Sequence, residues 1–222
     1  MVGRNSLKMS EAKYRIATWD YMHKEKNHGA LSGCQYEETL ETLKLTNLVT
    51  PDSRILEIGV GFGYVTKALY NHVNKVDAFD ISSIALENVR DYCYKSFTLS
   101  DIEDMSTNCY DVIFCQNVIQ HIPTPMLYYE MFHFIRSLES DGVMAVKSIS
   151  TDGYKDTGDD PEIVIEETRC HDSIGCFCRS ESYLKKIIDR CGGVATLVAS
   201  KPCDVMFINA EQIFHITKKK YD

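Results

Sequence analysis

The segment Ile55-Leu56-Glu57-Ile58-Gly59-Val60-Gly61-Phe62-Gly63 constrains this chain more than any other. An apolar run of strand type ends in three glycines at alternate positions, and a helical pattern over 63–72 follows. Glycine adopts positive φ and lets the backbone come close to a ligand. In an α/β sheet the turn after the first strand is where nucleotide ligands sit. Two acidic positions fit that reading. Asp80 ends the next strand-like run, where a carboxylate can accept both hydroxyls of a ribose. Asp101-Ile102 follows the third run, where an adenine edge would lie. The dinucleotide fingerprint G-x-G-x-x-G calls for a third glycine where this chain has Tyr64.

The rest of the chain repeats the same rhythm. Strands are expected at 54–58, 75–79, 96–99, 111–116 and 143–148, and helices near 63–72, 83–93, 125–138 and 180–191. Alternation of this kind calls for a parallel sheet with helices on both faces. Two further strand-like runs, 194–199 and 206–217, flank a turn at Lys201-Pro202-Cys203-Asp204 and read as an antiparallel hairpin at one sheet edge. Ahead of the sheet, 10–23 and 35–47 read as helices, with Tyr14, Trp19 and Tyr21 in the first. The expected organisation is a helical cap over residues 1–49 and an α/β domain over 50–222. Residues 150–175 form an insertion of little periodicity, and long loops in compact domains are usually functional or mobile.

Composition narrows the class. With 44% apolar and 25% charged residues, the chain has the means to build a core. No run reaches the roughly 18 apolar residues of a membrane helix. The first ten residues are polar and lack a signal-peptide core, which points to the cytosol. A net charge of −8 argues against nucleic acid as the partner. The nine cysteines are an odd number without paired C-x-x-C spacing, so they read as reduced, packed thiols. Cys170, His171, Cys176 and Cys178 lie close together, but lack the second half of a zinc set. No metal is expected.

The order E-x-G-x-G-x-G from Glu57 to Gly63, then Asp80, Asp101-Ile102 and Tyr110-Asp111-Val112-Ile113-Phe114, resembles the class I S-adenosylmethionine-dependent methyltransferases. The resemblance spans roughly residues 50–217. It implies a Rossmann-like, seven-stranded, mostly parallel sheet whose last strand is antiparallel, with S-adenosylmethionine as cofactor. It also implies roles. Glu57, Gly59 and Gly61 shape the pocket for the methionine part. Asp80, followed by Ile81, holds the ribose. Asp101 and Ile102 frame the adenine. Gln116, ending the fourth strand, lies near the methionine carboxylate or the methyl. Trp19 belongs to an aromatic stretch whose rings could favour the sulfonium.

A narrower resemblance links Cys115-Gln116-Asn117-Val118-Ile119-Gln120-His121-Ile122 to the I-Q-W-V-I-G-H-L segment of the protein N-terminal α-N-methyltransferases. Gly29-Ala30-Leu31-Ser32-Gly33 and Cys178-Arg179 join it. That family's K-D-N is here Lys147-Ser148-Ile149. Asp172 takes the position of its catalytic Asp across a two-residue length difference.

Methyl transfer from a sulfonium is an in-line displacement in which the protein mainly positions and desolvates. A base helps an acceptor lose its proton. His121, after the fourth strand, has the right ordinary pKa of ~6.5, and Asp172 is the second catalytic candidate. The stretch 151–172 carries eight carboxylates against Lys155 and Arg169, a rim that would attract a cationic acceptor. The expected activity is methyl transfer to oxygen or nitrogen of a small polar metabolite. Methylation of a protein N-terminal amine and a non-catalytic cofactor-binding regulator stand as alternatives.

Overall fold

The computed structural model describes residues 3–25, 36–150, 167–171, 176–205 and 208–220. The chain forms two compact units, Met1–Ser106 and Thr107–Asp222. Its sheet has seven strands in the order β3-β2-β1-β4-β5-β9-β8, and a separate two-stranded sheet pairs β6 with β7. No helix among the described residues is long and apolar enough to cross a membrane.

The first unit carries α1 (Gly3–Lys24), α2 (Tyr36–Thr42), β1 (Arg54–Ile58), α3 (Tyr64–Tyr70), β2 (Lys75–Phe79), α4 (Ser83–Glu87) and β3 (Ser96–Phe97). β1 and β2 are buried along four consecutive residues each, the pattern of parallel strands covered on both faces. They pair in parallel from Arg54↔Lys75 to Ile58↔Phe79, and β3 joins β2 in parallel. Two helices are shorter than their patterns predict. α2 stops at Thr42 because Lys44 takes a left-handed φ of 57°, and the Leu45 N–H reaches back to the Leu40 carbonyl at 2.8 Å. That is a Schellman-type end, and it turns Leu43 and Leu45 fully into the core. α4 stops at Glu87, and residues 90–92 form a 3-10 turn. Val89, between them, leaves helical geometry and is fully buried.

The second unit carries β4 (Tyr110–Gln116), α5 (Thr124–Ser137), β5 (Leu138–Ser150), β6 (Glu167–His171), β7 (Cys176–Arg179), α6 (Glu181–Arg190), β8 (Gly193–Val205) and β9 (Ile208–Lys218). β4 and β5 are parallel, whereas β9 runs antiparallel to both β5 and β8. The α/β, Rossmann-like sheet with an antiparallel last strand is therefore as expected. α6 begins at Ser180, whose side chain accepts the Tyr183 N–H at 3.2 Å, and buries Leu184, Ile187 and Ile188.

Two local expectations are corrected here. The turn placed at Lys201–Asp204 is strand: β8 continues to Val205, and Pro202 pairs with Ala210. Proline cannot donate to a ladder, and it is tolerated because β8 is the last strand in the sheet order, with a register shift beside it. The insertion also contains strand β6, paired with β7. Its residues 151–166 lie outside the described residues.

Candidate active site

The glycine turn grows directly out of the β1–β2 pair. The Gly59 N–H donates to the Phe79 carbonyl at 2.7 Å. Gly59, Gly61 and Gly63 have φ of 76°, 54° and 76°, a region costly for other residues. Gly63 caps α3 in this conformation. A Cβ there would stand 2.3 Å from Val89 Cγ1, so the third glycine lets the start of α3 close onto the segment after α4.

Two buried carboxyl groups flank this turn. Glu57, on β1, is 5% exposed and receives a hydrogen bond from Thr66 Oγ1 on α3. Burial raises its pKa to about 8 against the help of Thr66, so at neutral pH it is mostly a neutral acid. Asp80, just past β2, is 7% exposed. Its Oδ2 accepts the Gly61 N–H at 3.3 Å and its Oδ1 accepts the Ser82 N–H at 2.9 Å. Burial outweighs these bonds and lifts its pKa to about 6, with Asp20 adding a smaller upward push.

Asp20 comes from α1. Its Oδ1 accepts the Ser82 hydroxyl at 2.6 Å, while Ser82 Oγ itself accepts the Ala85 N–H and caps α4. One serine thus links α1, the Asp80 loop and α4. The rings extend the link. Trp19 lies 6.0 Å from His23, and His23 meets Phe62 of the glycine turn edge-on at 6.0 Å. Trp19 is half-buried, but Tyr14 and Tyr21 are largely exposed, so the aromatic stretch does not act as one surface.

Asp101 is half-buried in the 3-10 turn Leu99–Asp104. It completes a capping box with Thr98, accepting the Thr98 N–H at 2.7 Å and hydroxyl at 2.6 Å. These bonds hold its carboxyl below the usual range. Ile102 behind it is fully buried, and Ile81 beside Asp80 is half-buried. The first unit therefore offers an acceptor carboxylate braced by backbone amides, with a further acidic group, Asp20, close by. Such a donor-poor site suits hydroxyl groups and a cation and does not suit a phosphate, so these residues fit the ribose and sulfonium of S-adenosylmethionine.

In the second unit β4 ends at the half-buried Gln116. Asn117 then takes φ 58° and donates its N–H to the Lys147 carbonyl at 3.2 Å. Asparagine tolerates this left-handed geometry better than most residues. The 3-10 turn Ile119–His121 follows, with His121 half-buried and its N–H on the Val118 carbonyl at 2.8 Å. Arg179, at the end of β7 and 1% exposed, grips this turn. It donates to the Ile119 carbonyl at 2.9 Å, the Ile122 carbonyl at 2.6 Å, and Thr124 Oγ1 through Nη2 and Nε at 3.2 and 3.3 Å.

Sequence reasoning gave Arg179 no role of its own, since its partners lie 55–60 residues away. Replacing Arg179 with Met should cost about 1–3 kcal/mol, because the buried Ile122 carbonyl loses the guanidinium and the Ile119 carbonyl keeps only the Ile122 N–H. Urea unfolding measures it, and Arg179→Lys should recover only part, since one ammonium cannot reproduce the planar fork.

Asp172, the second catalytic candidate, lies outside the described residues, as does most of the acidic stretch 151–172. Cys176 and Cys178 are buried free thiols. Among the described residues no group of three or more His, Cys, Asp or Glu is placed to hold a metal.

Residues 55–142 match the model of a methyltransferase domain family. No curated protein matches the chain significantly. Solved structures share the fold at low identity. The 1,6-didemethyltoxoflavin-N1-methyltransferase of Burkholderia thailandensis, with its namesake compound and S-adenosylhomocysteine bound, is 10% identical. It superimposes with a TM-score of 0.72 over 95% of this chain and 90% of that one. A SAM-dependent methyltransferase of Leishmania major is 17% identical, with a TM-score of 0.64 over 93% and 83%. The magnesium protoporphyrin IX methyltransferase of Synechocystis, with bound S-adenosylhomocysteine, is 14% identical, with a TM-score of 0.60 over 96% and 100%. The matched domain spans the glycine turn, Asp80 and Asp101, and the seven-strand sheet around it has the fold of these S-adenosylmethionine-dependent methyltransferases.

Proposed function

We propose that the chain transfers the methyl of S-adenosylmethionine to an oxygen or nitrogen of a small polar molecule. The observation that carries the cofactor half is Asp80, a buried carboxylate braced by the Gly61 and Ser82 amides beside the glycine turn. Support for a small acceptor comes from the Burkholderia enzyme, a small-molecule methyltransferase whose fold this chain shares over nearly its whole length.

S-adenosylmethionine supplies the activated methyl. In this reading Asp80 accepts the ribose hydroxyls, and Glu57, Gly59 and Gly61 enclose the methionine part. Ile81, Asp101 and Ile102 bound the adenine. Trp19 offers a ring to the sulfonium, and Gln116 meets the methionine carboxylate or the methyl. His121 takes the acceptor's proton, on a turn whose carbonyls Arg179 holds. Asp172 is a second base candidate.

Transfer of a radiolabelled methyl to a fixed panel of ethanolamine, catechol, glucosamine and a Ser-Pro-Lys peptide tests the reading. Labelling of a small molecule supports it. Labelling of the peptide alone replaces it with the protein N-terminal reading, and cofactor binding without labelling of any of the four favours a regulator. On a labelled acceptor, His121→Ala should lower kcat about a hundredfold with S-adenosylhomocysteine affinity unchanged. Full activity at saturating acceptor would remove His121 from the chemistry.

A further inference from the structure

Gln120 stands in the turn that Arg179 holds, and the packing leaves its own task unexplained. It is 5% exposed, and its Oε1 is enclosed by protein without a hydrogen-bond partner. A buried acceptor with no donor is unfavourable, and native proteins keep few of them. Three carbonyls of the turn are committed. Arg179 occupies the Ile119 and Ile122 carbonyls, and the His121 N–H occupies that of Val118. These bonds fix the backbone on both sides of Gln120. The turn lies just beyond the carboxyl end of β4, the end of the strands at which open α/β sheets bind ligands.

We propose that Gln120 Oε1 is a specificity-determining group that accepts a hydrogen bond from an N–H or O–H of the methyl acceptor. This rests on the methyl-transfer reading. The fold holds an acceptor in place and leaves its donor to the substrate. A site built to hydrogen-bond a substrate donor rejects analogues that lack it, because its polar group is then left unpaired. Recognition by Gln120 and proton removal by His121 would come from adjacent residues of one turn.

Two variants test this. In the ligand-free protein, Gln120→Leu removes the orphaned oxygen at similar volume, so its urea midpoint should rise above that of the intact chain. A fall would show that the carbonyl already has a structural partner and would overturn the proposal. On whichever member of the four-compound panel is labelled, Gln120→Leu should raise the acceptor KM about tenfold, with kcat reduced less and S-adenosylhomocysteine affinity within about twofold. Gln120→Glu keeps an acceptor oxygen and should hold KM closer to the intact value. An unchanged KM in Gln120→Leu would overturn the proposal while leaving methyl transfer intact. If the intact chain labels nothing, the methyl-transfer reading has failed, and the urea midpoint alone decides whether Gln120 is an open acceptor.

Discussion

Replacing Asp80 with Asn should weaken S-adenosylhomocysteine binding about a hundredfold or more. Two hydroxyl donors of a ribose lose a charged acceptor, and each charge-assisted hydrogen bond contributes roughly 1.5–3 kcal/mol. Asparagine keeps the shape and one oxygen for the Gly61 or Ser82 amide, so the loss should not come from an unfolded loop. The pH dependence separates binding from folding. Burial raises the Asp80 pKa to about 6 in the free protein. Only the ionised form accepts both hydroxyls, so the affinity of the intact chain should be level above pH 7. It should then fall about tenfold for each pH unit below 6. In Asp80→Asn that slope should vanish. Calorimetric titrations between pH 5 and 8 measure both effects, and equal affinity of the two proteins at pH 7.5 would show that Asp80 does not hold the ribose.

Glu57→Gln should stabilise the ligand-free protein at pH 8 by on the order of 4 kcal/mol. The sign follows from proton counts. Burial lifts the Glu57 pKa from 4.5 to about 8, so between these values the folded chain binds a proton that the unfolded chain has released. Stability then falls as pH rises from 4.5 to about 8, by ~1.4 kcal/mol for each pH unit. Asp80 contributes in the same direction between 3.8 and about 6. Glutamine can still accept from Thr66 but never ionises, so the variant should keep only the Asp80 part of the slope. Urea midpoints at pH 5, 6.5 and 8 should converge at the acid end and separate at the basic end. Parallel curves would mean that Glu57 ionises normally.

The parts of this site that were readable in the sequence are those set by local chemistry. Three alternate glycines after an apolar run require positive φ, and all three have it. β1 and β2 are short, continuously buried runs, which is why their boundaries emerged without ambiguity. The parts that escaped notice depend on distant partners. Asp20 meets Ser82 across 62 residues. Arg179 reaches the turn of His121 from β7, a four-residue strand that follows the stretch without periodicity. Lys44 ends a helix by adopting a left-handed φ that lysine rarely takes, and Pro202 lies in a strand because that strand is at the sheet edge. The Thr98-x-x-Asp101 capping box was visible as a pattern, and reading it would have shown that Asp101 shapes its own turn.

The most direct test of the central claim is a calorimetric titration of the intact chain with S-adenosylhomocysteine at pH 7.5. A chain with this glycine turn and Asp80 should bind it saturably at one site. Absence of binding up to millimolar ligand, by a chain shown to be folded, would contradict the account.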